Sequence, residues 1–273
     1  MKASTPSTTS PYTIGLALSG GFIKGFAHLG AMQALTEYGI KPDIIAGVSA
    51  GALVGAFYAD GNEPYRILDF FAGHKFQDLT KLVIPKVGLF VLDEFIDFLR
   101  SNLRARNIEE LKTPLVITAT DLDNGSSVQF TKGEIALRVA ASCCMPVLFS
   151  PVLIDGVHYV DGGLFMNLPV TTIRRACDKV VAINVSPLIA DRYKMNIVSI
   201  ALRSYNFMFR ANSLPERKKA DLLIEPYHLD VYNNTELEKA EEIFEQGYNA
   251  AYNLLDKLTH EKGTVWKELK SKR

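Results

Sequence analysis

The run Ile44–Ala59, "IIAGVSAGALVGAFYA", constrains this chain more than any other stretch. It carries no charge, it is bounded by Asp43 and Asp60, and it sets one serine among glycines. Two structures tolerate such a run: a membrane helix with a small-residue face, or a buried strand that turns abruptly into a buried helix. Length separates them, because a bilayer span needs about 20 apolar residues and the two aspartates close the run before that. Gly47, Gly51 and Gly55 keep a helix-dimer spacing, but Gly47 beside β-branched Val48 suits a sharp exit from a strand. The strand-turn-helix reading is therefore the expectation.

The preceding segment repeats the theme. "TIGLALSGG" is an apolar run closed by glycines, and "KGFAHLGAMQALTEYG" is helical up to Gly39. Two strand-to-helix units in succession predict a parallel sheet. Further on, "PLVITATDL" and "SVQFT" read as strands, "IALRVAASCC" as helix, and "LIDGVHYVDGG" as a hairpin turning at Asp155 and Gly156. "KVVAINVSP" is a buried strand, and a long helix, N-capped by Asn234 or Thr235, ends the pattern. The fold class is α/β with helices on both faces of the sheet. The Phe- and Leu-rich stretch Leu68–Leu103 fits the sheet pattern least; it reads mainly as core cover, with a lid or acyl-chain groove as the alternative.

With 48% hydrophobic residues across 273 positions and no linker, the chain is read as one domain over 13–260. A polar disordered leader over 1–12 and a charged tail over 261–273 flank it. Thirty basic side chains balance thirty acidic ones, so no nucleic-acid-binding surface is implied. No basic amphipathic helix stands out either, and membrane contact is expected to be transient at most. Cys143, Cys144 and Cys177 are too few for a disulfide framework and lack zinc-site spacing. They are expected as reduced thiols, with a cytoplasmic location; no ligand cluster calls for a metal or a cofactor.

Gly47-Val48-Ser49-Ala50-Gly51 fits G-x-S-x-G, in which the flanking glycines let a strand fold into a helix and hold the serine in a strained conformation. A serine nucleophile needs donors for the oxyanion formed on the attacked carbonyl. "SGGFIKG", Ser19 to Gly25, offers main-chain N–H groups at a helix entrance, with Gly20 and Gly21 permitting close approach. The spacing does not suit a phosphate loop, because Phe26 and Ala27 stand where Lys and Ser/Thr belong. A base is also required. Of His28, His74, His158, His228 and His260, only His228 and His260 lie late enough for a conventional triad, and His28 reads as a packed structural residue. "YVDGGLFMNLP" supplies another candidate, Asp161, at a strand end before Gly162 and Gly163. By itself that pattern also describes a simple turn.

Taken in order, "SGGFIKG", "GVSAG" and "DGG" resemble the oxyanion loop, nucleophile elbow and aspartate motif of the patatin-like phospholipase family. "AASCCMPVLFSPV" and "ADLLIEP" are similar to further segments of that family. The resemblance implies a three-layer α/β/α fold with a mostly parallel sheet. It also implies a serine acyl hydrolase acting on a phospholipid or lysophospholipid ester through a Ser49-Asp161 dyad, without a catalytic histidine. Gly20, Gly21 and Phe22 would form the oxyanion loop, with Lys24, Gly25, Gly47, Gly51, Gly162 and Gly163 as motif support. Family members carry a third glycine and an arginine where this chain has Phe22 and Lys24. A positive φ at Phe22 would be costly, and Lys lacks the planar fork of Arg. Two rivals stand beside this reading: a conventional esterase with His228 as base, and a lipid-binding protein that lost turnover through Phe22.

Overall fold

The computed structural model describes residues 10–71, 74–82, 88–186, 195–232 and 236–262. Most of the expected leader and tail lies outside those residues, as do Asn234 and Thr235. The elements in chain order are β1 (Tyr12–Leu18), α1 (Phe26–Glu37), β2 (Ile44–Val48), α2 (Ala50–Ala59) and α3 (Pro64–Phe71). A small two-stranded ribbon follows, β3 (Lys81–Leu82) with β4 (Phe90–Val91), and then α4 (Asp93–Asn102). The chain continues through β5 (Leu115–Asp121), β6 (Ser126–Phe130), α5 (Ile135–Cys143), β7 (Val152–Ile154), β8 (Val157–Asp161) and α6 (Val170–Arg174). It closes with β9 (Cys177–Ile183), α7 (Ile197–Arg217), β10 (Leu222–Ile224) and α8 (Ala240–Lys262).

The main sheet runs β10-β9-β1-β2-β5-β8-β7, with β6 also paired to β5. The five strands from β10 to β5 are parallel. The β5–β6, β5–β8 and β7–β8 pairs are antiparallel, so the sheet is mixed. Alternation along the parallel strands shows why both faces are covered. Leu16, Leu18 and Ile45 enter a large core shared with α1, α2, α4, α5 and α8, whereas Ala17, Ile44 and Ala46 enter a smaller one shared with α6. Strands buried on both faces read as continuous apolar runs, which is how β1 and β2 look in sequence.

Local chemistry fixes several joints. Gly39, at φ 73°, ends α1 while the Ile40 N–H returns to the Leu35 carbonyl. Asp155 and Gly156, at φ 51° and 84°, make the tight turn between β7 and β8 that a twisted hairpin favours. The described part of Leu68–Leu103 contributes to the core, with Phe71, Leu79, Leu92, Phe95, Ile96 and Leu99 buried; residues 72–73 and 83–87 of that stretch lie outside the described residues. No helix among the described residues is long and apolar enough to cross a membrane.

Candidate active site

The register of β5 explains why two distant residues meet. Val48, the last residue of β2, pairs with Thr118, while Asp161, the last residue of β8, pairs with the next residue, Ala119. β6 occupies the opposite edge of this part of β5. β2 runs parallel to β5 and β8 antiparallel, so the two strands approach each other head-on along one edge. Ser49 leaves the end of one and Asp161 the end of the other.

Ser49 has φ 52° and ψ −123°, a conformation that strains any residue with a Cβ. The glycines beside it are demanded by space. A Cβ on Gly47 would lie 2.4 Å from the Gly51 carbonyl oxygen, and one on Gly51 would lie 2.3 Å from that of Leu18. The Ser49 N–H donates to Ser142 Oγ at 2.8 Å, and that hydroxyl donates to the Thr118 carbonyl at 2.7 Å. The elbow is thereby tied to α5 and β5. The N-terminus of α2 begins at Ala50, which places the positive end of its dipole at the serine.

Asp161 is 1% exposed. Its main chain is fixed by its own N–H to Cys144 O and by Thr120 Oγ1 donating to its carbonyl, both at 2.9 Å. One carboxylate oxygen, Oδ1, accepts the Gly163 N–H at 2.8 Å. Burial pushes the carboxyl up to about 6, against the opposing pull of the Ser49 hydroxyl and the Gly163 amide. The hydroxyl faces the carboxyl, but among the described residues no hydrogen bond of normal geometry closes on Oδ2. Cys143 also lies beside the Ser49 hydroxyl, and burial raises its thiol far above the usual range. All three cysteines are free thiols.

The glycine loop sits beside this pair because Leu18 pairs with Gly47 across β1 and β2. Its peptide planes are pinned. The Gly20 carbonyl accepts from Ser186 Oγ at 2.7 Å and from Ser19 Oγ at 3.0 Å, and Ser19 Oγ in turn accepts the Val185 N–H. The Gly21 carbonyl accepts the Lys24 N–H at 3.1 Å. In a trans peptide the N–H points opposite to the C=O, so these bonds fix the directions of the Gly21 and Phe22 N–H groups. Neither N–H has a protein acceptor among the described residues.

Gly20 differs from the expectation. Its N–H donates to the Asn167 carbonyl at 3.1 Å and is no longer free for an oxyanion. Its role is spatial, since a Cβ there would lie 2.4 Å from Asn167 Oδ1 and 3.2 Å from Ser49 Cβ. Phe22 takes φ 54°, the costly conformation that a glycine would adopt freely, and its side chain packs against the large core. Lys24 and Gly25 form the 3-10 turn Phe22–Gly25 that leads into α1. Gly162 and Gly163 form the turn after β8; a Cβ on Gly162 would lie 2.3 Å from Thr118 O.

No histidine hydrogen-bonds to Ser49 or Asp161 among the described residues. His28 is buried with Nε2 2.8 Å from the Ser19 carbonyl, and burial lowers it to about 4, so it stays neutral and braces the loop. His158 pairs with Asp123 and His260 with Asp256. His74 meets the Phe98 ring edge-on. His228 is exposed, at φ 62°. The sequence reading missed Ser142, Asn167 and Asn212. Asn167 is 1% exposed with no partner for either side-chain amide atom among the described residues, and its N–H donates to Asn212 Oδ1 at 2.8 Å. Nothing local marks such residues, whose roles exist only after β8, α5 and α7 have come together.

A cavity of about 130 Å³ opens at Ser49. Phe22, Leu53, Phe71, Leu92, Phe95 and Phe149 are among the residues lining it, so its wall is predominantly apolar. Part of Leu68–Leu103 thus faces the serine.

Residues 16–173, more than half of the chain and including both Ser49 and Asp161, match the family model described as patatin-like phospholipase. The chain belongs to the patatin-like phospholipase family. An uncharacterized NTE family protein of Mycobacterium tuberculosis is 36% identical over 168 residues, covering 59% of this chain and 45% of that relative. Lysophospholipase NTE1 of Kluyveromyces lactis is 28% identical over 92% of this chain and 20% of its own length. The chain therefore spans less than half the length of either relative. Among solved structures, VipD from Legionella pneumophila aligns with a TM-score of 0.52 at 18% identity, over 90% of this chain and 67% of that one. Human GIVD cytosolic phospholipase A2, bound to methyl gamma-linolenyl fluorophosphonate, gives 0.53 at 12% identity, over 96% and 60%. These distant structural matches place the chain in the family's fold.

Proposed function

We propose that this chain hydrolyses the carboxylic ester of a lysophospholipid or phospholipid through Ser49 and Asp161. The observation that carries the reading is the head-on approach of β2 and β8 along β5, which sets a strained serine beside a buried, unusually basic carboxylate. Ser49 Oγ attacks the ester carbonyl carbon while its proton passes to Asp161. The Gly21 and Phe22 N–H groups, with the α2 N-terminus behind Ser49, receive the charge that develops on the carbonyl oxygen. Collapse breaks the ester C–O bond, and Asp161 returns the proton to the departing alcohol. A water then gives its proton to Asp161 and attacks the acyl-Ser49 carbonyl; collapse releases the fatty acid and restores the serine hydroxyl.

A pKa near 6 suits this work better than the usual carboxylate value, because the group is ionised at neutral pH yet a stronger base than a solvated aspartate. The apolar lining of the cavity beside Ser49 supports an acyl chain, rather than a charged group, as its occupant. The lysophospholipase named among the relatives supports a single-chain lipid as substrate, and the free thiols support a cytoplasmic setting. Fatty-acid release from lysophosphatidylcholine, diacyl phosphatidylcholine and p-nitrophenyl esters tests the reading. Release from the lysolipid that disappears in Ser49→Ala is expected; no release from any lipid ester, or unchanged release by Ser49→Ala, would reject it.

A further inference from the structure

We propose that α7 docks the enzyme on an anionic lipid surface through its outward face. The inner face of the helix is settled: Phe209, Ser213 and Glu216 are buried. The opposite face carries Ile197, Ile200, Phe207, Met208 and Leu214, all exposed, with Ile197 at 85% and Phe207 at 48%. Positions 197, 200, 207 and 214 recur at intervals of three and seven, which keeps them on one stripe of a helix. Apolar side chains scattered singly over a surface mean little, but five on one face of a helix of 21 residues mark a contact.

The charge around that stripe selects the occupant. No acidic residue occurs between Ile197 and Pro215, while Arg203 and Arg210 flank the stripe and Lys218 follows at its end. Arg203 lies 5.3 Å over the Phe207 ring, so cation and apolar anchor share one surface. Arg210 and Lys218 make no ion pair among the described residues. The chain as a whole has no net charge, and this basic edge is therefore local. Apolar side chains beside cations on one helix face match the boundary between acyl chains and anionic headgroups. The preference for a bilayer over a protein partner leans on the proposed lipid substrate.

The same helix is attached to the site. Asn212 Nδ2 donates to the Gly163 carbonyl at 2.7 Å and to the Leu164 carbonyl at 3.2 Å, and a Cβ on Gly163 would meet the Phe209 ring at 2.9 Å. Gly163 is the residue whose N–H holds Asp161. A surface that orders α7 thus acts on the wall behind the carboxylate.

Flotation with phosphatidylcholine vesicles, with and without phosphatidylglycerol, tests the docking independently of catalysis when the full chain carries Ser49→Ala. Anionic vesicles should retain the protein about tenfold better than neutral ones, with the difference shrinking in high salt. Adding Ile197→Asp and Phe207→Asp should reduce retention to background. In the active chain, that pair should leave hydrolysis of water-soluble p-nitrophenyl butyrate within about twofold, as expected for exposed positions. Arg203→Glu with Arg210→Glu supplies a second variant that leaves the apolar stripe in place and should weaken binding to anionic vesicles alone. Equal retention by the wild-type and altered faces would overturn the proposal, as would absence of retention on any vesicle. A concentration-dependent dimer that Phe207→Asp dissociates, without vesicle binding, would assign the stripe to a second copy instead.

Discussion

Replacing Asp161 by Asn should give a protein that is inactive yet, above about pH 6, more stable than the original. The carboxyl is 1% exposed, and burial raises it from 3.8 to about 6. At 1.36 kcal/mol per pH unit, that displacement amounts to about 3 kcal/mol. The sign follows from linkage. A carboxyl that holds its proton more tightly when folded contributes stability that is complete below its unfolded value of 3.8 and is lost as pH rises through about 6. An amide does not ionise, so Asp161→Asn escapes this loss and should gain up to about 3 kcal/mol relative to the original chain. The figure is an upper value, because the asparagine nitrogen needs an acceptor where a carboxylate oxygen stood. For a domain of this size, 1 kcal/mol moves the thermal midpoint by roughly 2–4 °C, so the variant should melt up to about 10 °C higher near pH 8. Circular-dichroism melts across a pH series would read the effect, and the pH-dependent part of the gap should close near pH 4. A variant less stable than the original at pH 8, or a gap that ignores pH, would refute the argument that this carboxylate is held ionised at a cost.

Further outcomes follow from the same geometry. The kcat/KM for a soluble ester should fall about tenfold per pH unit below pH 6, since the base must be ionised; a flat profile down to about pH 4.5 would assign the base elsewhere. Phe22→Gly should keep turnover within about tenfold, because the main-chain donor is unchanged and the positive φ costs glycine little. Turnover lost in that variant would mean that the side chain, and not the amide, is what the loop requires. Ser142→Ala removes the acceptor of the buried Ser49 N–H and should cost about 1–3 kcal/mol in denaturant unfolding, with a lower kcat. An unchanged unfolding midpoint would show that the elbow does not lean on α5.

The strand-turn-helix units around Ser49 were legible in the sequence because their signals are local: charge-free runs of strand length, glycines where backbones touch, and a helix stop at Gly39. The β7–β8 hairpin was legible for the same reason at Asp155 and Gly156. The meeting of Ser49 with Asp161 was legible only through resemblance to a family. It depends on two strands sharing one edge of β5, which no spacing encodes. Gly20 looked like an oxyanion donor because glycines allow close approach; the structure uses that space for Asn167 and engages the Gly20 amide with the Asn167 carbonyl. The outward face of α7 escaped notice because both sides of that helix carry apolar residues, which weakens the contrast that marks an amphipathic helix, and because its arginines vanish in a chain with no net charge.

Fluorophosphonate labelling followed by peptide mapping tests the central claim most directly. The account predicts a phosphonyl adduct on Ser49, absent in Ser49→Ala, slowed by orders of magnitude in Asp161→Asn and unaffected by His228→Ala. An adduct on another residue, or labelling of Asp161→Asn at the original rate, would contradict it.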